Sequence, residues 1–238
     1  MARPGRPPQD PARRIERAHR ILDAVAELVL RWGYDKTTID DIAQRAGVAK
    51  GTIYLHWKTR DELFAALLRR ERVHMMAEVR DRAPATLSEL FGEFSRALLR
   101  RPLLQAVLTG DSQVLGKLTR QKRSSTSWLQ TGAAFEPYVA ELVKLGAVRE
   151  DPGDHLVTVG SIVYGFLLMR TSLPDHARPS DDRVAELVTD TIERTMGTGR
   201  RMSPGDAEAV ARATLEFLDA AVEVARRKLD ASLGLQGA

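Results

Sequence analysis

Residues 46–64 read AGVAKGTIYLHWKTRDELF. The spacing predicts a short helix over about Ala49–Trp57. On a helical wheel Ala49, Ile53 and Trp57 share one side, the expected buried stripe. Gly51 and Leu55 fall opposite, Thr52 and Tyr54 flank them, and Lys50 and His56 sit on the shoulders. A surface helix that only shields a core turns charged residues outward. Here the outward side combines a glycine, a leucine, a tyrosine and basic residues, which fits a surface that meets something other than water.

The preceding residues complete a unit. Thr38-Ile39-Asp40-Asp41 offers a threonine cap followed by acids in a first turn, where the helix dipole favours them. That helix is expected to close at Gly47. Thr38–Ala46, a tight turn at Gly47-Val48, and the short helix together read as a helix-turn-helix. In that arrangement the second helix enters a DNA major groove and the first crosses the backbone. In such a groove Gly51 would allow close backbone approach, Thr52 could bond a base edge or phosphate, and Leu55 could touch a thymine methyl. Tyr54, His56, Lys50 and Lys58 would reach toward phosphates. The competing reading of the same residues is a helical hairpin inside an ordinary bundle, with Gly47 only a C-cap.

Charge distribution weighs against that plainer reading. The net charge is +4, yet residues 1–74 hold 15 Lys/Arg against 10 Asp/Glu, while the remainder is close to neutral. A positive excess confined to one third of a chain suits a polyanionic partner.

Elsewhere the pattern is helical throughout, and no run alternates with period two. The expected class is all-α: an N-terminal three-helix helix-turn-helix DNA-binding domain and a C-terminal helical ligand-binding and dimerisation core. Residues 1–11 read as a basic arm, in which Arg3 and Arg6 are either further DNA contacts or part of a tail with no role; 12–75 are expected to form the DNA-binding domain and 76–238 the effector and dimer domain. Asp10-Pro11 opens a first helix that Gly33 ends. Thr59-x-x-Glu62 and Thr86-x-x-Glu89 match the capping-box pattern at the starts of two more helices. Further helices are expected near 102–109, 127–145, 154–172 (capped by Asp154), 181–196 and 203–231. The basic segment 117–123 is expected to be a solvated loop.

With no cysteine, disulfides, thiolate metal sites and a cysteine redox switch are excluded. No apolar run approaches the ~18 residues of a membrane span, and no secretory signal precedes the first helix, so a cytoplasmic protein is expected. No nucleophile elbow, phosphate loop or metal-spaced cluster is present, and the histidines are scattered. The expectation is therefore a non-enzyme with no catalytic residues, no metal and no cofactor. An architectural DNA binder without sequence specificity or effector is the alternative; a long C-terminal helical region argues against it.

The stretch TIDDIAQRAGVAKGTIYLHWKTRDELFAALL resembles the DNA-binding region of the tetracycline-repressor (TetR) family of bacterial transcriptional regulators. The resemblance covers about residues 12–75, and Trp57 departs from it where the family usually has Phe. It implies a homodimeric repressor on an inverted-repeat operator in double-stranded DNA, released by a small-molecule effector. By position it also implies DNA contacts at Thr38, Lys50, Gly51, Thr52, Tyr54, Leu55, His56, Lys58 and Arg60. Helices near 154–172 and 181–196 fall where the family builds its dimer interface. An apolar effector pocket is expected among Phe91, Phe94, Leu98, Gln105, Trp128, Phe135, Tyr138 and Tyr164.

Overall fold

The computed structural model describes residues 11–115, 132–151 and 153–234. The N-terminal arm, residues 117–123 and Trp128 lie outside them. The helices are α1 (Pro11–Trp32), α2 (Ile39–Ala46), α3 (Lys50–His56), α4 (Arg60–Asp81), α5 (Leu87–Leu99), α6 (Pro102–Thr109), α7 (Ser112–Leu115), α8 (Gly132–Lys144), α9 (His155–Ser172), α10 (Asp181–Met196) and α11 (Pro204–Leu233). Among the described residues the one non-helical pairing is an isolated bridge between Val148 and Gly197. The protein is all-α.

Side-chain chemistry fixes where these helices begin. Thr59 Oγ1 accepts the Glu62 N–H at 3.1 Å, and Thr86 Oγ1 accepts that of Glu89 at 3.2 Å. The reciprocal carboxylate bonds go one residue further out than the capping box requires. Glu62 Oε2 takes the Lys58 N–H at 2.8 Å and Glu89 Oε2 that of Ala85 at 2.7 Å. Each such cap contributes ~1 kcal/mol. Asp154 stands at the N-cap of α9 but makes no side-chain cap bond, because its backbone lies outside the extended conformation that a capping carboxylate needs.

Two clusters of buried side chains form. One gathers Ala18, Ile21, Leu22, Val25 and Val29 of α1 around Ile42, Ile53, Trp57, Phe64 and Leu67. It also recruits Leu103, Ala106 and Leu115 from α6 and α7, and Leu229 and Leu233 from the far end of the chain. The other holds Met75, Met76 and Val79 of α4 with α5, α8, α9, α10 and the first half of α11. Helices α4 and α11 lie against each other and pass through both clusters. The last helix therefore packs on the core.

α5 and α10 approach closely: a Cβ on Gly92 would stand 2.0 Å from Thr189 Oγ1 and 3.2 Å from the Ala185 carbonyl. Around that contact Ser88 donates to Glu193 at 2.8 Å and Arg96 to Asp182 at 2.7 Å. Val184, Val188 and Ile192 of α10 are buried here, inside the chain, against α5.

Candidate nucleic-acid interface

The turn that sets α3 against α2 rests on Gly47, whose φ of 64° is the left-handed conformation that side chains resist. The Val48 N–H then returns to the Ala43 carbonyl at 3.0 Å, closing the α2 end as a Schellman-type cap. At the other end of α2, Thr38 Oγ1 accepts the Asp41 N–H and donates to Asp41 Oδ2 at 2.6 Å. The Thr38 hydroxyl is thus occupied by its own helix cap, and the same bonds hold the Asp41 carboxyl below its ordinary range.

On α3 the buried side chain is Ile53, with Trp57 immediately after it at 2% exposure. Ala49, expected in that stripe, is exposed. It is the N-cap, with extended backbone, so the helical wheel does not apply to it. The Trp57 indole nitrogen is buried without a hydrogen-bond partner.

The opposite face is open. Leu55 is 65% exposed and Tyr54 40%. Thr52 is half-buried, and Lys50 and Lys58 are exposed. A Cβ added to Gly51 would meet nothing within 4 Å, so nothing in the protein's own packing calls for glycine there. Lys50 Nζ lies 2.8 Å from Asp40 Oδ2 across the helix pair, with both side chains largely in water. An exposed pair of this kind is weak, and its ammonium can turn to a stronger anion.

Two of the expected contacts also have neighbours within the protein. His56 is half-buried, its ring 5.2 Å from that of Trp57 and its Nδ1 enclosed without a partner. Burial and then the charges of Arg14 and Arg17 hold its pKa below the ordinary range, so a neutral imidazole faces α1. Arg60 lies over the Tyr34 ring, 3.8 Å from its centre. One terminal nitrogen of that guanidinium is buried without a partner. The spacing of α3 alone does not show these neighbours on α1 and at Tyr34.

Tyr34 is the positioning residue that the spacing does not single out. Its hydroxyl donates to Asp61, its ring meets Phe64 edge-on at 5.1 Å, and its N–H donates to the Val114 carbonyl at 2.8 Å. It ties the turn after α1 to the start of α4 and to α7. The sole local signal is an aromatic residue directly after the helix-ending Gly33.

The model of bacterial regulatory proteins of the tetR family matches residues 21–67, which span this whole arrangement. That stretch is similar to the DNA-binding region of tetR-family regulators. Among its relatives, the transcriptional repressor KstR of Mycolicibacterium smegmatis is 34% identical over 101 residues, which are 40% of this chain and 49% of KstR. The chain thus matches about half the length of that relative. The repressor Rv1474c of Mycobacterium tuberculosis is 26% identical over 185 residues, 76% of this chain and 92% of its own. Among solved structures, SmeT, the repressor of a Stenotrophomonas maltophilia multidrug efflux pump, superposes with a TM-score of 0.50 at 21% identity, covering 79% of this chain and 94% of SmeT. That likeness speaks for a shared fold. These relatives are transcriptional regulators.

Further along the chain the expected effector residues separate into groups. Phe91, Phe135 and Tyr138 meet through ring pairs, Phe91 with Phe135 at 5.9 Å and Phe135 with Tyr138 at 6.3 Å. Phe94 joins through Phe91 at 6.1 Å. Leu98 is buried in the same core. Gln105 instead donates its amide to the Leu99 carbonyl at 2.7 Å, closing the α5–α6 corner. Tyr164 is exposed on α9, away from the cluster. The α11 side chains were not foreseen. Phe217 stacks on Tyr138 with centroids 4.6 Å apart and planes 13° from parallel. The Tyr138 hydroxyl lies 3.0 Å from Thr214 Oγ1, which itself donates to the Val210 carbonyl at 2.9 Å. The one threonine proton being used, tyrosine is the donor. A separate crevice of about 40 Å³ lies between α5 and α10, lined by Ser88, Val148 and Glu193 among others. It has room for about a water molecule.

Among the described residues no helix is long and apolar enough to cross a membrane, and no three His, Asp or Glu side chains converge as a metal site.

Proposed function

We propose that this chain is a cytoplasmic, homodimeric, sequence-specific repressor that binds an inverted-repeat operator and leaves it when a small apolar effector binds. Residues 12–75 read the DNA, and residues 76–238 hold the effector and the dimer contact. The carrying observation is the outward face of α3: Gly51 with open space where a side chain would stand, beside exposed Leu55 and Tyr54. The fold gains nothing from that glycine, and close approach of a nucleic-acid backbone gives it a reason. Lys50, Thr52 and Lys58 border the same face and suit phosphate and base-edge contacts. Thr38 stands at the N-terminus of α2, where the backbone amides favour a phosphate.

The dimer rests on α9. Its outward side leaves Val157 64%, Met169 59% and Tyr164 38% exposed, with open space around Gly165. An apolar face with a small residue suits a second helix packed closely on it. A two-fold pair holds its reading helices ~34–36 Å apart, or a multiple of that. An effector that prefers a differently spaced pair lowers operator affinity by its difference in affinity for the two states. The aromatic cluster of Phe91, Phe135, Tyr138 and Phe217 supports an apolar, ring-containing effector. The regulator has no catalytic role in this reading.

Selection of binding sites from random duplex DNA, followed by binding at low and high salt, tests the reading. An enriched inverted repeat with strong discrimination is expected. Uniform, steeply salt-dependent binding without a preferred site would replace it with an architectural DNA binder.

A further inference from the structure

The end of α11 lies in the core of the reading head. Leu229 and Leu233 are buried there at 7% and 4% exposure, in the cluster that also holds side chains of α1, α3 and α4. Arg69 of α4 donates to Ser232, and Arg80 donates to Asp219 at 2.8 Å, so two polar contacts fasten α11 along α4. The helix ends at Gly234 in the left-handed conformation, and a Cβ there would stand 2.9 Å from a terminal nitrogen of Arg14 on α1. A guanidinium at a helix C-terminus is favoured by the helix dipole. The charge of that same Arg14 also faces His56, the last residue of α3.

At its other end α11 carries Thr214 and Phe217, the partners of Tyr138 in the aromatic cluster. Between Phe217 and Leu233 the helix contains no glycine and no proline, and it spans ~24 Å at the α-helical rise. An uninterrupted helix held at both ends moves as one body.

We infer that α11, which runs antiparallel beside α4 and like it joins the two clusters, is a mechanical link in addition to α4 that carries the state of the Tyr138–Phe217 cluster to α1 and the base of the reading helix. This rests on the repressor reading above. A ligand that displaces Phe217 from Tyr138 tilts α11, and the tilt is delivered at Leu229, Leu233 and Gly234. Coupling of this kind is reciprocal, so DNA binding at the head alters the cluster in turn.

The test uses the full chain and a duplex enriched from the random pool. Amide hydrogen exchange is followed in α8 and in residues 214–218, free and duplex-bound. Duplex binding is expected to change protection at 214–218 by at least threefold. A Glu223→Gly/Val224→Gly variant then places a hinge at exposed positions between the two ends, touching neither. It is expected to bind the duplex within about threefold of the parent while losing at least half of the linked change. An unaltered change in that variant would assign the coupling to α4 alone and overturn the inference, as would a bound duplex with no change at 214–218 in the parent. If the hinge variant does not fold, Arg14→Gln breaks the link at α1, with the same expected loss and the same overturning outcome. A chain that enriches no duplex overturns the repressor reading, and the link falls with it.

Discussion

The guanidinium carbon of Arg60 stands 3.8 Å from the ring centre of Tyr34, and the hydroxyl of that tyrosine donates to Asp61, the next residue after the arginine. Two adjacent residues at the start of α4 thus grip one ring from its face and its edge. Arg60→Ala is expected to lower stability by about 1–2 kcal/mol, the range of a partly desolvated cation–π contact. Arg60→Lys keeps the charge without the flat stacking surface, and should recover less than half of that loss. Urea unfolding midpoints of the three proteins decide it. Full recovery with lysine would show that positive charge alone, not the flat stacking on Tyr34, supplies the stabilisation.

Gly51→Ala separates folding from reading. Alanine is the better helix former and meets open space at this position, so stability should rise by about 0.5 kcal/mol. Affinity for the enriched duplex should fall tenfold or more, because the methyl group enters the gap that the backbone of the DNA needs. A variant that is both more stable and undiminished in binding would remove the case for close approach at Gly51.

Tyr54 and Leu55 are expected to fail in different ways. Tyr54→Ala should weaken binding to all duplexes by a similar factor, as a phosphate contact does. Leu55→Ala should relax preference at one A·T pair in each half-site and leave stability within about 0.5 kcal/mol of the parent. Repeating the site selection with each variant reads both, and an unchanged motif for Leu55→Ala sinks the thymine-methyl contact.

Arg70 is the buried member of an unequal pair. Its side chain is 6% exposed and lies 2.6 Å from Asp23, whose side chain is 70% exposed. It also donates to the His19 carbonyl at 3.2 Å. Asp23→Ala leaves a buried cation short of a partner and should cost about 2 kcal/mol, below the ~3–5 of a fully enclosed pair. Arg70→Met leaves the carboxylate in water and should cost less. Thermal unfolding of the two variants gives the order, and the reverse order refutes the argument.

Acid should weaken the fold through two histidines. His56 is lowered by burial and then by Arg14 and Arg17. His19 is lowered by burial and then by Arg70, against an opposing pull from Asp23, with His74 adding the smallest lowering effect. The folded chain therefore binds fewer protons than the unfolded chain in the window below the ordinary histidine value of 6.5. Stability rises with pH through that window and is lost as pH falls from ~6.5 toward the lowered folded values. Urea midpoints between about pH 7.5 and about pH 5 should decline, and the decline should be shallower in His19→Gln/His56→Gln.

Much of this was legible in the chain because the signals are local. A threonine followed three residues later by aspartate or glutamate marks the starts of α2, α4 and α5, and glycine marks the end of α2. The outward face of α3 follows from helical spacing within a few residues. What stayed hidden depends on partners far along the chain. His56 and Arg60 meet α1 and Tyr34, and Phe217 gains its meaning from Tyr138. The apolar stripe of α10 was visible, but not which neighbour would cover it. Burial by α5 and burial by a second subunit leave the same periodic pattern.

The first cluster of buried side chains is assembled from α1 to α4 and finished by Leu229 and Leu233. On the ribosome these parts are made at opposite ends of the schedule. Between Leu68 and Leu233 the chain must grow for roughly 10–30 s at ordinary elongation rates. Throughout that interval the reading head has its helices but not the last two leucines of its core. A nascent chain therefore carries a first cluster that is complete only when the closing turns of α11 have been made.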